Sequence, residues 1–123
     1  MKVRGSLVLA LLAFVVAVLA VGPVMAQDPA KVAPDIYKCI FENDRVRVCE
    51  VHVKPGDKIG MHSHPDHFVY VQAGGMVKFT NADGKTQEVE MKKGEVIWSP
   101  AVTHSSENIG KTDLKVLLVE LKK

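Results

Sequence analysis

The chain has 123 residues, with 16 Lys and Arg against 14 Asp and Glu, and 47% of its residues are hydrophobic. That length bounds it to one domain with a modest core. No basic stripe runs along it, which argues against nucleic acid as a partner.

The first segment differs from the rest. Lys2 and Arg4 give it a positive start, and Leu7 to Val21 carries no polar side chain. Gly22 and Pro23 break the run, and Val24-Met25-Ala26 is a small-residue cleavage pattern before Gln27. Residues 1–26 therefore read as a secretory signal peptide. The uncharged run is long enough to span a membrane, but the breakers and the cleavage pattern favour removal. No Cys follows the cleavage point to carry a lipid, so no stable membrane anchor is expected. The expected location is exported, either periplasmic or secreted. Without Lys2 and Arg4 the acidic and basic residues balance, and the mature net charge is near zero.

Residues 27–35 contain Pro29 and Pro34 and read as an extended leader. The folded domain is expected over residues 36–123. Strand-length segments rich in Val, Ile, Phe, Tyr or Leu occupy 36–41, 46–53, 68–72, 76–80, 87–91, 96–98 and 114–121. Turn signals separate them, among them Asn43-Asp44, Pro55-Gly56-Asp57, Gly74-Gly75 and Lys93-Gly94. Asp83-Gly84 marks a hairpin between residues 76 and 91. No mature segment sustains a helical period. Short strands at this spacing predict an all-β sandwich or barrel. Val46 and Val48 lie in one phase of their strand and Val51 and Val53 in the other, which predicts a bulge near Cys49 or Glu50.

Cys39 and Cys49 flank the turn at Glu42 to Arg45. Counting outward from Asp44 sets them opposite each other, where a disulfide can close. Export would favour that bond. A one-residue shift of register would instead leave two buried thiols. No His or third Cys stands at ligand spacing from them, so they are not read as metal ligands.

Of the five histidines, three stand together at His62, His64 and His67, in a run that begins at Gly56. His62 and His64 are two apart, which in a strand puts both imidazoles on one face. His67 follows Pro65, so the chain must bend to return it to that face. His104 arrives on a later strand, in Trp98-Ser-Pro-Ala-Val-Thr-His104. Imidazoles converging from two strands make an open metal site with room for water or substrate. His52 has no such context and reads as solvent-facing or structural.

These segments resemble the two motifs of the cupin superfamily. Gly56, His62, His64 and Gly74 match the first, and Gly94, Pro100, His104 and Asn108 the second. The chain is also similar to small exported cupins and to those encoded beside β-alanine degradation genes. The resemblance implies a single-domain double-stranded β-helix, or jelly-roll barrel. It implies one divalent transition metal, either Mn, Fe, Ni or Zn. Two departures stand out. The second motif has Ala101-Val102 in place of its glycine and is one residue short. The glutamate of the first motif is absent, and His67 stands at its position. The implied ligand set is His62, His64, His67 and His104, or three histidines with His67 at the rim.

Without a carboxylate ligand, four neutral imidazoles would leave the full 2+ on the metal, which favours a small anionic partner such as an oxo- or hydroxy-carboxylate. Three classes of function then stand open. One is a metal-dependent enzyme, dioxygenase-like or isomerase-like. The second is a non-catalytic metal- or ligand-binding or sensor protein, and the third a structural domain with a vestigial site. The candidates for a general base are Glu50, His52 and Tyr70. Trp98, Asn108, Val69 and Val71 are candidate pocket residues. Phe68 and Tyr70 lie in the phase opposite Val69 and Val71, and an outward apolar surface there would suit a homodimer.

Overall fold

The computed structural model describes residues 27–123. The signal-peptide expectation for residues 1–26 lies outside the described residues. Residues 27–35 are not extended throughout, because Pro29–Val32 form one helical turn, α1. Asp28 caps it, accepting from the Ala30 amide at 3.0 Å. Pro29 enters the first turn, where a missing N–H leaves no bond unmade, and it is buried.

Nine strands follow among the described residues: β1 (Tyr37–Glu42), β2 (Val46–Val53), β3 (Lys58–His64), β4 (His67–Ala73), β5 (Gly75–Asn81), β6 (Thr86–Met91), β7 (Val96–Ser99), β8 (Val102–Asn108) and β9 (Leu114–Leu121). They form a five-stranded sheet in the order β1-β2-β9-β4-β7 and a four-stranded sheet in the order β3-β8-β5-β6. This is the all-β double-stranded β-helix expected from the strand spacing and the motifs. The strand signals of the sequence do not pick out β3 and β8, which carry His, Ser and Thr where apolar residues would mark a strand. Gly56 and Gly94, the first glycine of each motif, turn the chain before β3 and β7 with φ of 83° and 89°, a conformation that disfavours a side chain.

The inner faces meet in one core. Cys49, Val51 and Val53 of β2, Val71 of β4 and Leu114, Val116 and Leu118 of β9 come from the larger sheet. Ile59, Val77 and Met91 come from the smaller one. β2 runs regularly against β9 from Val46–Leu121 to Val53–Leu114. The bulge expected in β2 lies instead in β1, where the register steps between Cys39 and Phe41 and leaves Ile40 unpaired. Val46 and Val48 therefore face outward, while Arg47 continues the inward phase. Cys39 lies directly opposite Cys49, and the two are joined by a disulfide.

The outer face of the larger sheet is also apolar. The registers place Phe41, Val48, Val119, Phe68 and Trp98 in one row across its five strands. Leu117, Tyr70 and Val96 form the next row.

Candidate metal centre

The four histidines reach one end of the barrel by different local devices. In β3 the register against β8 slips between Ile59 and His62. That slip lets Ile59, His62 and His64 all point inward, although Ile59 and His62 are an odd number of residues apart. His62 pairs directly with His104 of β8, so two imidazoles meet across the ladder. Between His64 and His67 the chain crosses from one sheet to the other through Pro65-Asp66. The Asp66 carboxylate then accepts from the Ala101 amide at 2.8 Å, tying this corner to the second motif.

His62, His64 and His104 present ring nitrogens that all lie within 4.8 Å of one another. His67 falls outside that set, but its ring stands 4.6 Å from His64, centre to centre. It is buried rather than at the rim.

Three of the rings are fixed through Nδ1. His62 donates to the Gly60 carbonyl at 2.7 Å, His67 to the Pro65 carbonyl at 2.8 Å, and His64 to the Glu120 carboxylate at 2.9 Å. Each of these acceptors has only lone pairs to offer, so Nδ1 carries the hydrogen and Nε2 of the neutral ring keeps its lone pair. His104 stacks on Phe79 with ring centres 4.9 Å apart. His62 Nε2 is buried with no hydrogen-bond partner among the described residues. A buried polar atom left without a partner is costly, and a bound cation is the partner its lone pair fits. The donor set therefore fits a divalent metal.

The electrostatics agree. Burial holds the His62 imidazolium pKa down to about 4, although the Gly60 hydrogen bond works against the shift. Burial also lowers His67, and it lowers His104 to about 3, helped by the other three histidines. His62, His67 and His104 are thereby kept neutral at pH 7, as metal ligands must be.

A buried charge network stands behind the site and is absent from the sequence reading. Glu120, only 3% exposed, bonds His64 through one oxygen. Its other oxygen receives Arg47 Nε at 2.8 Å and a second Arg47 nitrogen at 2.6 Å. Arg47 then grips both oxygens of Asp28 at 2.8 and 2.9 Å. Burial would raise the Glu120 carboxyl, but the bonds from His64 and Arg47 outweigh it and hold the carboxyl below its ordinary value. A signal did exist. Arg47 and Glu120 are the charged members of two inward-facing rows, and they are direct cross-strand partners.

The histidines open onto a cavity of about 300 Å³. His64, His67 and His104 line its polar end. Val51, Val53, Ile59, Val89, Met91, Val116 and Leu118 make most of the rest apolar. Tyr37 also lines it, and burial keeps its phenol protonated.

Of the residues expected in the pocket, Val69 lines the cavity. Val71 is wholly buried in the core behind it. Asn108 is structural: its amide donates to the Val53 and Thr112 carbonyls and accepts from Gly110, which locks the turn before β9. Trp98 points away from the barrel and is 56% exposed. Its neighbour Ile97 faces the cavity instead. The three candidate bases are also outside it. Glu50 and Tyr70 lie on the outer face of the larger sheet, and His52 bonds Asp113 at 2.8 Å in solvent.

The cupin domain model matches residues 49–120. No curated protein matches the chain. Among solved structures, a cupin domain from Bordetella pertussis is 26% identical, with a TM-score of 0.66 over 72% of this chain and 93% of its own. A predicted oxalate decarboxylase from Thermotoga maritima is 26% identical, with a TM-score of 0.54 over 71% and 79%. A double-stranded β-helix protein from Methanocaldococcus jannaschii, at 13% identity and a TM-score of 0.58 over 71% and 79%, shares the fold.

Proposed function

The chain belongs to the cupin family, and from that premise we propose that it binds one divalent transition metal (Mn, Fe, Ni or Zn) and holds a small anionic molecule against it. The ligands are His62, His64 and His104, with His67 as the fourth. The observation that carries the reading is the buried Nε2 of His62, which has no hydrogen-bond partner among the described residues and lies beside the rings of His64 and His104. The bound metal would supply Lewis acidity and open coordination positions. Burial keeps His62, His67 and His104 neutral, and the apolar walls of the cavity limit water around them. The apolar cavity accommodates the body of a small carboxylate whose charged end faces the histidines. The predicted decarboxylase of Thermotoga maritima, named for a small dicarboxylate, supports an acid of this class.

As an enzyme, the protein fits dioxygenase-like chemistry better than isomerase-like proton transfer. Glu50, His52 and Tyr70 lie outside the cavity, and Tyr37 holds its proton. The same lack of a base favours the second reading, a non-catalytic binder or sensor. The deciding experiment starts with elemental analysis of the protein as isolated, beside a His62→Ala, His64→Ala double variant. Unchanged metal content in the variant refutes the site. Metal-loaded protein is then titrated calorimetrically with small carboxylates and their neutral amides, and equal binding of the amides refutes the anionic partner. Oxygen uptake by the iron-loaded protein with those acids marks the enzyme. Thermal stabilisation without turnover marks the binder.

Export and a homodimer complete the reading. The disulfide suits an oxidising compartment. Among the described residues, no helix is long and apolar enough to cross a membrane. The apolar rows around Phe68, Tyr70 and Trp98 suit a second copy of the chain. If Phe68→Asp elutes as the wild type does on a sizing column, that face is not the contact.

A further inference from the structure

Glu120 and its partners do more than neutralise one another. The resemblance leads one to expect a carboxylate among the ligands, at the position His67 occupies. The register places Glu120 directly opposite His67, one strand away. Its oxygen reaches Nδ1 of His64 at 2.9 Å, on the side of the ring away from the ligand cluster. A carboxylate in that place fixes the tautomer and the plane of the ring, and makes its other nitrogen a stronger donor.

Glu120 is itself held on two sides. Arg47 contacts it through two nitrogens, and the same guanidinium is clamped by Asp28. The planar fork leaves little rotational freedom to either carboxylate. The network contains two carboxylates and one guanidinium, so it carries one net negative charge behind the histidines. Asp28 comes from the leader, and that leader touches the ligand strand a second time. The Ser63 amide, between His62 and His64, donates to the Gln27 carbonyl at 2.9 Å. The leader thus braces the exposed edge of β3, the outermost strand of its sheet.

We propose that Glu120 is a positioning residue for the metal centre, acting through His64, and that Arg47 and the leader residue Asp28 hold it in place. The inference rests on the metal-binding reading above. It amends the charge argument drawn from the sequence. The missing negative charge is retained one residue further from the metal, which reduces the excess positive charge an anionic partner would meet without cancelling it.

The test is Co(II) titration of the protein, followed by its d–d absorption and by calorimetry. The variants are Glu120→Gln, Asp28→Asn and the double variant Glu120→Gln, Arg47→Gln. Glutamine keeps an oxygen to accept from His64, removes the charge, and turns amide N–H donors toward Arg47, a donor clash that the double variant relieves. Glu120→Gln is expected to weaken Co(II) binding by about 10–100-fold and to shift the d–d bands. Asp28→Asn, at a partly exposed site where folding is not at stake, should move both readouts the same way by less. The double variant should stay as weak as Glu120→Gln. Wild-type affinity and spectrum in Glu120→Gln overturn the inference. Recovery of wild-type affinity in the double variant overturns it too, because Glu120 would then merely neutralise Arg47. An unchanged Asp28→Asn removes the leader from the device. If the wild-type protein binds no Co(II), the metal-binding reading itself fails, an outcome distinct from all the others.

Discussion

The larger sheet turns Cys49, Val51, Val53, Leu114, Val116 and Leu118 inward, and the smaller sheet turns His62, His64 and His104 into the same interior. One interface is thus lined by aliphatic side chains on one side and by imidazoles at one end of the other. The aliphatic side contributes stability through apolar area removed from water. The imidazole end contributes little of that kind, and it leaves His62 Nε2 without a partner among the described residues. Local rules are broken where the site is, and the opposing sheet compensates. The larger sheet takes part in the site only at one end of β4 and β9, through His67 and Glu120.

The sharpest way to probe this division is acid. Burial depresses His62 to about 4 and His104 to about 3, against 6.5 in the unfolded chain. Below about pH 6.5 the unfolded chain therefore takes up protons that the folded chain refuses. The metal-free protein should be at full stability above that pH. It should then lose stability continuously as pH falls toward 4 and 3, ending in unfolding. Thermal melts in chelator between pH 8 and 3 read this directly. A flat profile across that range would mean that the imidazole end is not held neutral by the fold.

The aliphatic side should answer to a different perturbation. Leu118 is buried at 2% exposure and faces both the core and the cavity. Leu118→Ala should cost about 2–5 kcal/mol in urea unfolding, through lost transfer energy and an enlarged cavity. Metal binding should persist, because the ligands stand mainly on the other sheet. Loss of metal binding in a folded Leu118→Ala would show that the two sheets are not separable in this way.

The same division decides what could be read from the sequence. Strands β2, β4 and β9 announce themselves through runs rich in Val, Leu and aromatic residues, and the histidine spacing with its glycine frame points to the ligand cluster. β3 and β8 give no such signal, since their inward positions mix imidazoles with Ile59, Val102, Ser106 and Asn108 and their outward positions include Ser, Thr and Lys. Trp98 was misplaced because an aromatic near a motif has no sign for the face it takes. That face is set by its register with Phe68. The bulge was assigned to β2 because Val46 and Val48 were read as inward. They belong to the outer apolar face, and Arg47 between them faces Glu120. The charge network's one signal, a charged residue in each of two inward-facing rows, does not by itself pair Arg47 with Glu120 or bring in Asp28, because the three are far apart in the chain and meet only through the fold.

The smallest expected effect tests the trade between site and stability most directly. His62 is 1% exposed; its Nδ1 is satisfied by Gly60 and its Nε2 by no group among the described residues. In metal-free protein the second nitrogen has lost its water without replacement, at a cost of about 1–3 kcal/mol. Leucine is close in volume and has no polar atom to leave unpaired. His62→Leu removes the Gly60 hydrogen bond as well, but Gly60 is exposed and water can take its carbonyl. The net expectation is a gain of about 1 kcal/mol in chelator, together with loss of metal binding. The acid limb of the melting profile should also become shallower, since one depressed imidazole is gone. Urea unfolding with and without chelator measures the first effect, and the pH series measures the second. A metal-free His62→Leu less stable than the wild type would mean that the ring is retained for packing. His62 would then be a core residue that happens to face the other imidazoles, and the smaller sheet would be no less structural than the larger.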